Sequence, residues 1–237
     1  MIYRAQRLVH RYNGRVALDL HDLAIPEGSR FAVVGPNGCG KTTLMEILVG
    51  LMAPSDGELC FYDRPLCLPL GHELRSRVAY VAQQPFALPG RVIENVMLAL
   101  GRGRARAQNR RLALGWLERF GIEALADRLE RTLSVGQLRI AALARAAARE
   151  APILVLDEPF AFVDEVFEGV VRDVLDRHHR AGGTIVMTNP RRSALANWAT
   201  GIVDLGRPGS ASSLHALPEQ VGGWATENDA HARAVAR

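Results

Sequence analysis

Gly35-Pro36-Asn37-Gly38-Cys39-Gly40-Lys41-Thr42-Thr43 is the stretch on which the fold turns. It follows an apolar, β-branched run at 30–34 that reads as a buried strand, and it precedes an apolar segment at 44–51 that reads as a helix. Glycines let the backbone bend until its N–H groups point inward, and the helix start behind them adds positive dipole, so strand, loop and helix form a cradle for an anion. In this pattern Lys41 is placed to reach the β- and γ-phosphates of a nucleoside triphosphate, and the Thr42 hydroxyl to bind Mg²⁺. Cys39 occupies a free position of the pattern and reads as a small filler.

Similar apolar runs recur at 77–81, 153–156, 184–188 and 201–205, each followed by a turn and usually by a helical pattern. That alternation predicts an α/β domain with a mostly parallel central sheet, whose ligand loops lie beyond the carboxyl ends of the strands. Between the second and third of these five strands, residues 92–150 are rich in Arg, Ala and Leu and read as a helical subdomain. Segments 2–10, 16–23 and 57–62 read as a small antiparallel sheet on the same core. The organisation expected is one catalytic domain over 1–205 and a tail over 206–237 that is loose or weakly helical.

The strand at 153–156 ends in Asp157-Glu158-Pro159. Successive strand residues point to opposite faces, so the two carboxylates take different roles. Asp157 is the candidate Mg²⁺ holder, and Glu158 the candidate group that orients or deprotonates the water attacking a γ-phosphate. Beside the phosphate loop, the pair implies hydrolysis.

The chain of 237 residues is 48% hydrophobic, enough to bury a real core. No window approaches the roughly 20 apolar residues of a membrane-spanning helix, and the N-terminus lacks a signal peptide's hydrophobic run, so a cytoplasmic location is expected. Cys39, Cys60 and Cys67 have no C-x-x-C spacing, which argues against both a disulfide framework and a zinc site. A net charge of +4 decides nothing alone. The basic run Arg102, Arg104, Arg106, Arg110 and Arg111 is either a solvated face or a surface for lipid headgroups, a partner subunit or RNA. Without interleaved aromatics it is a weak nucleic-acid signal, and no direct nucleic-acid contact is expected.

Leu133-Ser134-Val135-Gly136-Gln137, followed by a helix at 138–150 and then the acidic strand, resembles the signature motif of ABC ATPases in content and position. The resemblance runs from about Tyr12 to about Asn189 and takes in Gln83 and Ala161-Phe162-Val163-Asp164. It implies a P-loop NTPase of ABC type: an ATP-hydrolysing, Mg²⁺-dependent transport subunit on the inner face of the membrane, with separate transmembrane permease subunits. It also implies a second nucleotide-binding domain, as homodimer or heterodimer, packed head to tail so that Ser134, Val135, Gly136, Gln137 and Asp164 serve the ATP on the partner. Gln83 resembles the residue that approaches Mg²⁺ and the attacking water. Tyr12 resembles the aromatic that stacks on adenine, the alternative being a half-buried strand aromatic. Asp164 resembles the aspartate that signals across the dimer; a plain helix N-cap is the other reading, and the two are compatible.

Two positions depart from the family pattern. Val135 stands where the first signature glycine is usual, and a β-branched residue suits neither φ > 0 nor close phosphate approach. Asn189 stands where the family has a histidine on the γ-phosphate, and an amide carries neither proton nor charge near neutral pH. His178 and His179 precede that strand and read as a solvated helix end. Slow turnover, or dependence on a partner, is the expectation. The stretch after Gln84 is similar to that of ATPases of small-solute or oxyanion importers. Two other classes stay open: a regulatory ATP-binding subunit of a heterodimer, and a soluble family member acting on nucleic acid.

Overall fold

The computed structural model describes residues 1–66, 72–101, 103–195, 197–206 and 210–214. Cys67, Arg102 and the tail beyond 214 lie outside them. In chain order the strands are β1 Tyr3–Tyr12, β2 Arg15–Ile25, β3 Arg30–Val34, β4 Asp56–Phe61, β5 Arg64–Pro65, β6 Val78–Val81, β7 Ile153–Leu156, β8 Thr184–Asn189, β9 Gly201–Asp204 and β10 Ser210–Leu214. The helices are α1 Lys41–Leu48, α2 His72–Arg77, α3 Val92–Ala99, α4 Arg106–Arg119, α5 Val135–Ala148, α6 Glu165–Arg180 and α7 Arg192–Leu195.

Ten strands run in the order β5-β4-β1-β2-β10-β9-β3-β8-β7-β6. β9, β3, β8, β7 and β6 are parallel neighbours and form the central sheet. Both of its faces are covered, as the unbroken apolar runs require. On β3, Ala32 and Val34 enter one apolar cluster while Phe31 and Val33 enter the other. β7 divides in the same way, with Leu154 and Leu156 on one side and Ile153 and Val155 on the other. The first cluster lies under α3, α4, α5 and α6. The second joins the central sheet to α1 and to the antiparallel β1, β2 and β4.

Three expectations shift. α1 begins at Lys41 and α5 at Val135, each three residues ahead of the apolar stripe that announced it: the first turn of α1 is Lys-Thr-Thr, and that of α5 pairs an exposed Val135 with Gly136 and Gln137. The tail expected to be loose or weakly helical contributes β10, which pairs antiparallel with β9 and parallel with β2. Its Ser-Ala-Ser-Ser-Leu sequence has no apolar periodicity; pairing on both sides through main-chain hydrogen bonds makes it a strand. Among the described residues no helix is long and apolar enough to cross a membrane.

Candidate functional site

The phosphate loop sits at the carboxyl end of β3, where a parallel sheet places its ligand loops. Gly40 has φ 97°, and a Cβ there would stand 2.3 Å from the Ala17 carbonyl oxygen, so no other residue fits. The loop is thereby seated on β2, beside the hairpin that carries Tyr12. A Cβ on Gly35 would meet the Cys39 Sγ at 2.6 Å. The thiol therefore fills the underside of the loop, and burial pushes its pKa up, against the lowering effect of Lys41. Pro36, Asn37 and Gly38 form the exposed crest. Thr43 is buried behind them.

Lys41, at 5% exposure, donates from Nζ to the carbonyl oxygens of Gly35 at 3.0 Å and Pro36 at 3.1 Å. The same ammonium lies 3.7 Å from Glu158 Oε1. Thr42 Oγ1 donates to Asp157 Oδ2 at 2.7 Å, which leaves the hydroxyl's lone pairs for a cation. Asp157, fully buried at the end of β7, accepts on Oδ1 from Thr188 Oγ1 at 2.5 Å. That threonine oxygen in turn accepts from the Glu158 N–H at 2.7 Å. Glu158 holds φ 47°, a left-handed conformation that a glutamate adopts only under constraint. Gln83 Nε2 donates to Glu158 Oε2 at 3.3 Å. Lysine, hydroxyl, two carboxylates and an amide thus meet at the phosphate loop.

The donor set offered to a metal is a hydroxyl, a carboxylate and an amide carbonyl, all hard oxygens of the kind Mg²⁺ takes. No three His, Cys, Asp or Glu side chains converge among the described residues. Such a site suits an ion that draws its remaining ligands from phosphate and water.

The signature and its neighbours sit elsewhere. Ser134 caps α5: its Oγ accepts from the Gln137 N–H at 3.2 Å, while the Ser134 N–H donates to Gln137 Oε1 at 3.1 Å. Val135 is the first residue of α5 and 56% exposed, and it is not among the residues of positive φ. The objection that valine cannot take φ > 0 therefore falls away, since the position is helical. Gly136 matters for close approach instead: a Cβ would lie 2.6 Å from the Phe162 carbonyl oxygen. Asp164 caps α6, accepting from the Phe167 N–H at 3.0 Å. These contacts are local to two helix starts, and none of them reaches the chain's own phosphate loop. Tyr12, 45% exposed, donates its hydroxyl to Met52 Sδ at 3.3 Å and meets His10 edge-on at 4.7 Å.

Asn189 ends β8, and its Oδ1 accepts from the Arg191 N–H at 2.8 Å in a local turn, which leaves the amide N–H₂ group unengaged by that turn. His178 and His179 are not a solvated end. Both are half-buried, and burial lowers the pKa of each. A Cβ on Gly183 would fall 2.2 Å from His178 Nε2.

Two residues that join the site were not foreseen. Thr188 links the two acids, as described. Arg139, on α5 and fully buried, donates from Nη1 to the Glu158 carbonyl oxygen at 3.0 Å and from Nη2 to the Gln83 carbonyl oxygen. Its signal was available: it is a charge on the same helical stripe as Ala142, Leu143 and Ala146, and a charge on a buried stripe needs polar partners.

A parallel sheet with this loop, acid pair and helical subdomain defines the class as a P-loop nucleotide hydrolase. The ABC transporter family pattern matches residues 18–161. An aliphatic sulfonates import ATP-binding protein of Paraburkholderia xenovorans shares 36% identity over 193 residues, 79% of this chain and 70% of that one. A manganese transport system ATP-binding protein of Listeria monocytogenes shares 35% over 192 residues, 78% of each. The dimeric structure of an ATP-binding cassette in a post-hydrolysis state, bound to ADP and Pi, superposes with TM-score 0.79 at 25% identity, covering 90% of this chain and 98% of the other. The chain belongs to the ABC transporter family, as its ATP-binding cassette.

Proposed function

We propose that this cassette binds Mg·ATP on the loop 35–43 and hydrolyses it to drive import of a small solute or oxyanion through separate transmembrane subunits on the inner face of the membrane. The observation that carries the reading is the meeting of Lys41, Thr42, Asp157, Glu158 and Gln83 at one loop. The names of the two relatives, one an import ATP-binding protein and the other the ATP-binding protein of a manganese transport system, support the transport half of it.

Lys41 would exchange its loop carbonyls for phosphate oxygens, a stronger, charge-assisted partner. Thr42, Asp157 and Gln83 would hold Mg²⁺, which when bound neutralises charge on the phosphates. Glu158, held between Lys41 and Gln83, would orient and take a proton from the attacking water, and Asn189 would offer a neutral N–H to the γ-phosphate. Tyr12 would stack on adenine with its exposed face. Ser134, Val135, Gly136 and Gln137, with Asp164, would close over the ATP of a second cassette, where the N-terminus of α5 presents its dipole to phosphate. Turnover is slow on this reading, because an amide compensates transition-state charge less well than an imidazolium.

Steady-state ATPase of the purified chain with Mg²⁺, beside Glu158→Gln and Asn189→His, tests it, with ATP-dependent dimerisation followed by light scattering. Turnover abolished by Glu158→Gln and raised by Asn189→His is the expected result. ATP binding without turnover in all three proteins would instead favour the second reading, a regulatory subunit with a different catalytic partner, which the Asn189 turn motivates.

A further inference from the structure

Arg139 is fully buried, and its guanidinium touches two main-chain oxygens far apart in sequence. One belongs to Gln83, just past β6, and the other to Glu158, just past β7. Burying a guanidinium costs free energy unless its N–H groups find acceptors; here the two terminal nitrogens find the backbones of Glu158 and Gln83, while Nε has no hydrogen-bond partner. Burial lowers the Arg139 pKa, and the carboxylates of Asp157 and Glu158 counter it. The Gln83 and Glu158 side chains also meet directly, at 3.3 Å, so the fork fixes the two ends of one polar contact.

The support for this fork is α5, whose first turn is Val135, Gly136 and Gln137 under the Ser134 cap. At a rise of about 1.5 Å per residue, Ser134 and Arg139 lie about 7.5 Å apart along the helix. A rigid helix therefore carries the signature at its tip and the fork one turn and a half behind. Gly136 presses the same helix onto the Phe162 carbonyl, so α5 is indexed against the loop that follows Glu158 as well.

We propose that Arg139 is a positioning residue for hydrolysis: its fork sets the spacing of Gln83 and Glu158, and so makes the catalytic geometry of one site depend on where the signature helix stands. The proposal rests on the assignment of Glu158 and Gln83 to the attacking water. In a head-to-tail dimer α5 would touch the partner's ATP at its tip and its own chain's catalytic pair at Arg139, which links the two sites mechanically.

The test uses Arg139→Lys, which keeps the charge but replaces the planar fork by a point donor, and Arg139→Gln, which keeps one donor group without charge. Steady-state kcat and KM are measured for both, with melting temperature as a check of folding. Each variant is also combined with Glu158→Gln to read ATP-dependent dimerisation without chemistry. The expected result is a fall in kcat approaching a hundredfold, as a misplacement on the scale of 1 Å produces, with KM within about threefold, as expected if ground-state binding is spared, and dimerisation of the double variants retained. Unchanged kcat in a folded variant overturns the proposal. A joint loss of ATP binding and turnover also overturns it, as does failure of both variants to fold, since each marks a structural role. If Glu158→Gln alone leaves turnover intact, the assignment of Glu158 has failed, and that outcome is separate from the behaviour of Arg139.

Discussion

Replacing Thr188 with valine removes one hydroxyl and nearly conserves volume, yet that hydroxyl is a two-way junction. It donates to Asp157 Oδ1 at 2.5 Å and accepts from the Glu158 N–H at 2.7 Å, with no exposure to solvent. In Thr188→Val the carboxylate loses a charge-assisted bond worth about 1.5–3 kcal/mol, and the N–H becomes a buried orphan at about 1–3 kcal/mol. Valine's greater apolarity recovers part of this, so the net loss is about 3 kcal/mol. For a chain of this size that is a fall of about 6–12 °C in melting temperature, read by differential scanning calorimetry. The Glu158 turn, already held at φ 47°, loses its tether, and kcat falls about tenfold or more. Thr188→Ser keeps the hydroxyl and loses one methyl, so it melts well above the valine variant and keeps most of its turnover. A valine variant that melts within about 2 °C of the parent at unchanged kcat would refute the junction.

Other substitutions probe the surrounding contacts. Gly136→Ala raises helix propensity but drives a methyl to 2.6 Å from the Phe162 carbonyl; overpacking outweighs propensity, and calorimetry should find a net loss of about 1 kcal/mol instead of a gain. Ser134→Ala dissolves the α5 capping box and should cost about 1 kcal/mol in urea unfolding, with Ser134→Thr largely restoring it. Because burial holds the His178 pKa below its unfolded value, the folded chain binds this proton less readily than the unfolded one. Its stabilising contribution is present above the unfolded pKa of about 6.5 and is lost as pH falls below that value toward the lower folded pKa. Melting temperatures taken between pH 7.5 and 5.5 should therefore drop further for the parent than for His178→Gln; parallel curves would contradict this.

The central sheet was legible because residues such as Phe31, Val33, Leu154 and Val155 are buried on both faces, and a doubly covered strand writes itself as an unbroken apolar run. The phosphate loop was legible because its glycines answer to backbone geometry that no other residue meets, as the Ala17 contact of Gly40 illustrates. The starts of α1 and α5 were not, since their first turns face polar surroundings and drop out of the apolar period. The Asn13-Gly14 turn, with φ 49° and 80°, closes β1 onto β2 and carries a strong local hairpin signal that periodicity alone passes over. Arg139 and Thr188 escaped for a different reason. Their partners are backbone atoms or residues far along the chain, and no local pattern encodes a contact of that kind. Val135 shows the reverse error, in which a sound conformational rule was applied to a position that turned out to be helical.

The placement of β10 between β2 and β9 also sets an order of assembly. About 200 residues separate the first hairpin from the strand that stitches it to the central sheet, and at about 5–20 residues per second a ribosome needs about 10–40 s to deliver them. For that interval one side of β2 is an open edge able to template pairing with another nascent chain. Asp19, His21 and Asp22 stand exposed along this strand, two acids within four positions, and charge of that kind discourages edge-to-edge association. The polar face of β2 thus guards a seam until the chain's own late strand arrives to close it.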